Sequence, residues 1–199
     1  MSWHGCLHVL AVGSVGEQVA SALTNRAMVT GTSTVERASS LSTDLIVSSF
    51  EEAGEDGVVL LVGPSMMHAL CAKVDDVARG MRRRWSALIP EPDVLRAGPF
   101  LDGEHRRYSD FLEARLMQAS MVRAADAHSQ DHPDHVVPGL TMSHVDLLVA
   151  LWLRAAAEPD YPEARVWLTP REDLDLQQTT LVPSPFPRSR NAGVRGSDV

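Results

Sequence analysis

The sequence predicts an α/β fold of three layers around a mostly parallel sheet, closed by a C-terminal β-hairpin. Three observations carry that prediction. The apolar run Leu7–Val12 meets Gly13-Ser14-Val15-Gly16 and then a helix-like stretch from Glu17 to Met28. A second apolar run, Val58–Val62, meets Gly63-Pro64-Ser65 and then a stretch from Met66 to Arg79 in which Leu70, Val74 and Val77 share a helical face. Strands and helices continue to alternate as far as two closing strands. Apolar runs joined to helices by glycine turns mark crossover units, whose strands are covered on both faces. Strand, tight turn and helix in that order also open a Rossmann unit.

Each element has its own warrant. Leu7–Val12 is apolar apart from His8, and Val15, Val19, Ala22 and Leu23 recur at helical spacing behind it. Met28–Gly31 reads as a second strand, ended by the polar Gly31-Thr32-Ser33-Thr34. Ser39–Thr43 reads as a turn and Asp44–Val47 as a short strand, followed by the acidic Glu51, Glu52, Glu55 and Asp56. Ser65 is placed to cap the helix after Val58–Val62. Ser86–Ile89, ended by Pro90 and Pro92, and Val94–Phe100 follow as strands. Phe111, Leu112, Leu116, Ala119 and Val122 draw an apolar stripe along one long helix, Tyr108–His128. A polar loop, His128–Pro138, leads to a helix over Val145–Ala157 that packs through Leu148, Leu151 and Trp152. Ala164–Leu168 and Leu174–Val182 form the hairpin. Residues 1–182 therefore read as one domain, and the proline- and arginine-rich stretch 183–199 as a flexible tail.

The 199 residues, 44% of them apolar, suffice for one full core, and with only 5% aromatics Ala, Val and Leu must fill most of it. The net charge of −8 disfavours nonspecific contact with nucleic acid or anionic lipid. Cys6 and Cys71 make no C-x-x-C pair and read as buried thiols, with a disulfide between them left open. No run approaches the ~18 apolar residues of a membrane span. The start Met1-Ser2-Trp3-His4 lacks a basic n-region, so the cytoplasm is the expected location.

Four constellations are candidates for chemistry. Gly13, Ser14 and Gly16 set free N–H groups at a helix start, where an anion is favoured. A G-x-G-x-x-G pattern counted from Gly13 is incomplete, because Val15 and Gln18 occupy its later glycine positions. Glu36 is the nearest acidic residue for a ribose. The turn thus reads as a degenerate nucleotide turn with no cofactor, and an NAD, FAD or ATP site is its rival. His128, His132, His135 and His144 stand among aspartates and could bind zinc, but Pro133 breaks their helical spacing and a solvated loop is the simpler account. Arg82, Arg83, Arg84 and Trp85, with Arg106, Arg107 and Tyr108, are two positive patches that could contact a peptide or partner, Trp85 acting as anchor. No G-x-S-x-G elbow exists, Cys71 reads as inert packing, and Lys73, the only lysine, reads as a snorkelling surface residue.

This order resembles the E1-like (ThiF-like) partner proteins of YcaO-type cyclodehydratases in ribosomal modified-peptide biosynthesis. The likeness rests on Leu7–Gly16, on Leu95-Arg96-Ala97-Gly98-Pro99-Phe100, on Glu113-Ala114-Arg115, on Val145–Leu153 and on Val166–Pro185. It implies an E1-like fold that has lost adenylation, with ATP held by the YcaO-type enzyme. It implies a homodimer, joined through the later helices or an open sheet edge, that assists that enzyme and its precursor peptide. The resemblance implies that the peptide-binding winged-helix module of such relatives is either lost or supplied by another polypeptide, and Tyr108-Ser109-Asp110-Phe111 and Pro185-Phe186-Pro187-Arg188 stand where relatives carry C-x-x-C zinc ligands. The expected function is a noncatalytic partner of a peptide-modifying enzyme. A small nucleotide-dependent enzyme, such as an NAD(P)-linked oxidoreductase, and a histidine-metal enzyme are the alternatives.

Overall fold

The computed structural model describes residues 6–26, 29–63, 67–90, 94–112, 141–156, 166–170 and 180–182. In chain order these form β1 (Leu7–Val12), α1 (Gly13–Thr24), β2 (Val29–Val35), a 3-10 turn (Ala38–Ser40), α2 (Thr43–Ala53), β3 (Val58–Val62), α3 (His68–Met81), β4 (Arg84–Pro90), β5 (Val94–Leu101), α4 (Met142–Ala156), β6 (Val166–Pro170) and β7 (Thr180–Val182). A helical turn covers 108–112. The tail and most of the long helix expected after Tyr108 lie outside the described residues.

Among the described residues the strands join one seven-stranded sheet in the order β2-β1-β3-β4-β5-β6-β7. β1 to β4 are parallel, β6 shares their direction, and β5 and β7 run the other way. The three-layer, mostly parallel architecture and the closing antiparallel pair are therefore present. Alternation along the central strands builds both cores. Leu7, Val9 and Ala11 of β1, with Val58, Leu60 and Val62 of β3, face α1 and α4. Leu10, Val12, Val59 and Leu61 face α2 and α3. A strand buried on both sides has no polar phase, which is why these runs are continuous in sequence.

Three expectations need correction. Asp44–Val47 is not a strand but the first turn of α2. The Ser42 hydroxyl accepts from the Leu45 N–H, Asp44 sits in the first turn, and Ile46, Ser49, Phe50 and Ala53 form the buried face. That spacing is helical, and the helix-dipole and capping rules agree with it. The second strand does not stop at Gly31 but continues to Val35. Among the described residues β2 is an outer strand with alternating exposure, so its threonines are tolerated there and leave no apolar trace in the sequence. The helix expected from Glu17 starts at Gly13, so the glycine turn is the first turn of α1 rather than a loop before it.

That early start requires both glycines. Gly13 has φ +64, a conformation open to glycine at little cost. Gly16 lies on the sheet: a Cβ there would come within 2.9 Å of the Ala11 carbonyl carbon and of the Val62 carbonyl oxygen. Both neighbours are backbone and cannot turn away. Gly16→Val is expected to cost about 1–3 kcal/mol through overpacking, read by urea unfolding. Native stability of that variant would show that α1 does not depend on this approach.

Candidate functional site

The parallel strands set the first candidate position. From β1 the chain crosses through α1 to β2 on one side, then returns through α2 on the opposite face to β3 on the other side. The carboxyl ends of β1 and β3 thus form a switch point, where open α/β sheets hold their ligands. Gly13 stands at this point, and Ser14 is exposed beside it. Val12 precedes α1 with no side-chain cap, and no acidic residue occupies the first turn, so the helix start is electropositive. Glu36 follows the last residue of β2, and a Cβ on Gly13 would lie 3.5 Å from the Glu36 carbonyl oxygen. The structure therefore brings Gly13, Ser14, Gly16 and Glu36 to one end of the sheet.

The other wall of this crevice is apolar. Met67 is buried, and its side-chain end reaches the Cβ position of Gly63, which also meets Val12. The Met67 thioether thus lies over the ends of β1 and β3. Lys73 is not a free surface cation: its Nζ donates to the Leu41 carbonyl at 2.6 Å, on the α2 and α3 side.

A groove of about 500 Å³ opens from Ser14 along the outer side of α1. Glu17, Gln18, Ser21 and Met142 line it, and Arg26 and Asp146 pair across it at 2.9 Å. Sequence reasoning missed this feature. The signal was the polar stripe Ser14, Glu17, Gln18, Ser21 and Asn25, which recurs at helical spacing opposite the apolar one.

Tertiary contacts bring the two arginine clusters together. The turn after α3 ends with Arg82 at φ 54, and the Arg83 N–H closes onto the Ala78 carbonyl at 2.9 Å. Gly103 lies so close that a Cβ would meet the Arg83 carbonyl oxygen at 2.4 Å. Arg79 Nη1 donates to the carbonyls of Glu104 and Arg106. Arg82 and Arg107 are exposed on this surface, while Arg83, Arg84 and Arg106 are half-buried. Asp102 and Asp110 accept from backbone N–H groups there, so the surface has mixed charge.

Trp85 and Tyr108 do not belong to that surface. Both are buried, at 0% and 1% exposure. Trp85 Nε1 donates to Asp75 Oδ1 at 2.9 Å, and the Tyr108 N–H donates to Asp75 Oδ2 at 2.9 Å. The Tyr108 hydroxyl meets His68 Nδ1 at 2.7 Å. The anchor expected at Trp85 is thus a core residue, because the buried Asp75 carboxylate takes its indole N–H inward. Burial raises the Asp75 pKa, and the Tyr108 and Trp85 bonds oppose that shift. Beside them Cys71 is buried and its thiol is pushed up to about 11, first by desolvation, with Arg96 opposing. A buried thiol shifted this way holds little thiolate near neutral pH, in keeping with a packing role for Cys71.

Of the four histidines, only His144 is described. It accepts at Nδ1 from the Thr141 N–H at 3.0 Å, and its own N–H donates to Thr141 Oγ1 at 3.4 Å, which closes the start of α4. His128, His132 and His135 lie outside the described residues. No cluster of three potential metal ligands occurs among the described residues.

His8 is a further buried group. Its Nε2 lies 3.0 Å from Ser33 Oγ on β2, and its Nδ1 lies 3.3 Å from Glu52 Oε2 on α2. Gly31 leaves the room for this ring, since a Cβ there would sit 2.7 Å from His8 Nδ1.

No protein-family model matches the chain, and no curated protein sequence matches it. Solved structures do. A heterocyclase in complex with substrate and cofactor superposes with a TM-score of 0.51 at 14% identity, over 87% of this chain and 24% of that one. The heterocyclase TruD gives 0.49 at 14% identity, over 91% and 26%. Escherichia coli MccB with succinimide gives 0.49 at 10% identity, over 91% and 64%. The chain spans about a quarter of the heterocyclase chains. The first superposition establishes a common fold.

Two outcomes follow from the buried polar groups. Trp85→Phe strands one Asp75 oxygen and is expected to cost about 1–3 kcal/mol, read by urea unfolding; an unchanged midpoint would detach Asp75 from the fold's stability. Burial lowers the His8 pKa from 6.5, with Glu52 partly opposing. The unfolded chain then binds the proton more readily, so this contribution is present above pH 6.5 and is lost as the pH falls through the lowered value. His8→Gln is expected to flatten the fall in stability between neutral and mildly acidic pH, and an equally steep fall would remove His8 as its cause.

Proposed function

We propose that this chain is a noncatalytic partner of a peptide-modifying enzyme of the YcaO cyclodehydratase type. It works as a homodimer and helps that enzyme engage its precursor peptide in azoline- or thiazole-forming biosynthesis. Residues 1–182 serve as its single E1-like domain. The observation that carries this reading is the nucleotide-type switch point kept as architecture, with Met67 lying over the strand ends and Lys73 held by a backbone carbonyl on another face. The turn keeps its glycines but not the full G-x-G-x-x-G pattern, and the only lysine is committed elsewhere. The shared fold with a heterocyclase solved with substrate and cofactor supports the same direction.

On this reading the chain supplies shape and contact rather than reacting groups. The exposed Arg82 and Arg107, held on one surface by the Gly103 approach, are the contact residues for an acidic peptide or enzyme surface. The α1 and α4 groove beside Ser14 offers alternating polar groups to an extended peptide. The net charge of −8 argues against nucleic acid as the partner. Among the described residues, no helix is long and apolar enough to cross a membrane.

One observation favours a second reading, a small nucleotide-dependent enzyme. Glu36 directly follows β2 beside the Gly13 turn, where a ribose-binding acid belongs. Calorimetric titration with ATP, NAD(H) and FAD separates the two. The partner reading expects no saturable micromolar binding, and such binding would transfer the assignment to the enzyme.

The direct test is co-purification with the proteins encoded beside this chain, in which a YcaO-type enzyme is expected to be enriched, followed by cyclodehydration assays of that enzyme with and without the chain. Retention of the enzyme and a rise in its turnover are expected, while full turnover without the chain would overturn the proposal. Arg82→Glu combined with Arg107→Glu is expected to weaken retention while stability stays within about 0.5 kcal/mol. Unchanged retention would remove these arginines from the contact.

A further inference from the structure

His8 interrupts the apolar run of β1, and the fold buries it between β2 and α2. A buried imidazole is costly unless its nitrogens are met. Ser33 on β2 meets one of them, with Oγ 3.0 Å from Nε2. Glu52 on α2 faces the other, with Oε2 3.3 Å from Nδ1, slightly off hydrogen-bond alignment. Catalytic hydrogen bonds are often long or poorly aligned until a substrate binds. A carboxylate only accepts, so Glu52 places the imidazole hydrogen on Nδ1 and leaves Nε2 as an acceptor. The Ser49 hydroxyl is 3.5 Å from Ser33 Oγ, but it donates to the Leu45 carbonyl at 2.7 Å. The Ser33 hydrogen is therefore the one directed at His8. Hydroxyl, imidazole and carboxylate in this order are a nucleophile, its base and the group that orients the base, an arrangement defined by geometry and not by order in the chain.

Three further features fit that arrangement. Gly31, opposite His8 in the sheet, clears the space for the pair: a Cβ there would lie 2.7 Å from His8 Nδ1 and 2.8 Å from Glu52 Oε2. A glycine inside a strand marks such a close approach. Exposure is graded, with the base buried and the Ser33 hydroxyl on a half-buried strand position that a small ester can reach. Among the described residues β2 pairs only with β1, so alternate N–H groups on its outer side remain for a carbonyl oxygen. By that alternation the outward donors are either the Ser33 N–H or those of Thr32 and Thr34, which places them beside the nucleophile. Burial lowers the His8 pKa, with Glu52 partly opposing, so the imidazole is neutral near pH 7 and able to take a proton.

We infer that Ser33, with His8 as its base and Glu52 as the positioning residue, is a nucleophile that takes the acyl group of small carboxylic esters and passes it to water. Ser33 Oγ bonds to the carbonyl carbon while His8 Nε2 takes the hydroxyl proton. The bond from that carbon to the leaving oxygen then breaks, and His8 returns the proton to the departing alcohol. Water, deprotonated by the same Nε2, attacks the acyl-serine, and the carboxylic acid leaves with Ser33 restored. His8 is the second residue of β1, so this cluster lies toward the end of the strands opposite the Gly13 turn. The inference goes beyond the partner reading, which concerns a different reaction and different residues, and does not rest on it.

Incubation of the full chain with p-nitrophenyl acetate tests it. Release of p-nitrophenolate is expected, with an acetyl group found on Ser33 by peptide mapping of the quenched reaction. Ser33→Ala is expected to abolish both, and His8→Gln to lower the rate by about 10²-fold or more. Glu52→Gln is expected to lower the maximal rate by about tenfold or more while the half-saturating ester concentration stays the same. Ser33 is half-buried and Glu52 exposed, so these two variants keep the test available if His8→Gln does not fold. Absence of acetyl from Ser33, release by Ser33→Ala equal to that of the unmodified chain, or an unchanged maximal rate in Glu52→Gln would each overturn the inference. None of these results bears on retention of the modifying enzyme, which separates this inference from the functional proposal.

Discussion

The close approach of α1 to β1 and β3 is the constraint from which the rest of the molecule follows. At Gly16 the helix touches backbone on two strands at once. The chain must therefore leave β1 without a loop, and Gly13 makes that turn in a left-handed conformation. Val15, Val19, Ala20 and Leu23 are then committed to the core beneath the helix. The polar face of α1 is left to line a groove against α4. A phosphate-type turn and a packing device are thus the same few residues. The glycines are needed for the fold whether or not any nucleotide is bound.

On the opposite face, Asp75 has the comparable role. Consecutive residues of a strand point to opposite sides, and β4 uses both. Trp85 turns towards α3 and donates to Asp75, while Ser86 turns the other way and accepts from Trp152 Nε1 at 3.1 Å. One dipeptide therefore ties α3 and α4 to the middle of the sheet. Asp75 also takes the Tyr108 N–H, which draws the chain after β5 over α3. The loop that brings Arg106 and Arg107 to the Arg82 turn is positioned by this carboxylate and by Gly103. The basic surface thus depends on a buried acid.

Much of the fold was legible because burial leaves a simple trace. Leu7–Val12 and Val58–Val62 are buried on both faces, so they are apolar without interruption and cannot be mistaken for surface. Where one side meets solvent, the trace blurs. β2 has alternating exposure and a polar outer face, so its residues beyond Gly31 carry no strand signal in the sequence. α2 is ambiguous in sequence because a short apolar group, Leu45-Ile46-Val47, satisfies either period. The Ser42 cap and the later Phe50 and Ala53 decide for a helix.

The sequence by itself determined the crossover units, the incomplete glycine pattern, the acidic charge and the packing role of Cys71, because each is local or compositional. Tertiary structure alone decided which polar residues face inward. Trp85 beside three arginines has the composition of a contact surface, yet a carboxylate ten residues earlier takes its N–H. Glu36 beside Gly13, Met67 over Gly63, and the Arg82 turn under Gly103 are likewise meetings of residues distant in the chain. Sequence spacing carries no record of such meetings, since they are set by how a twisted sheet and its helices close on one another.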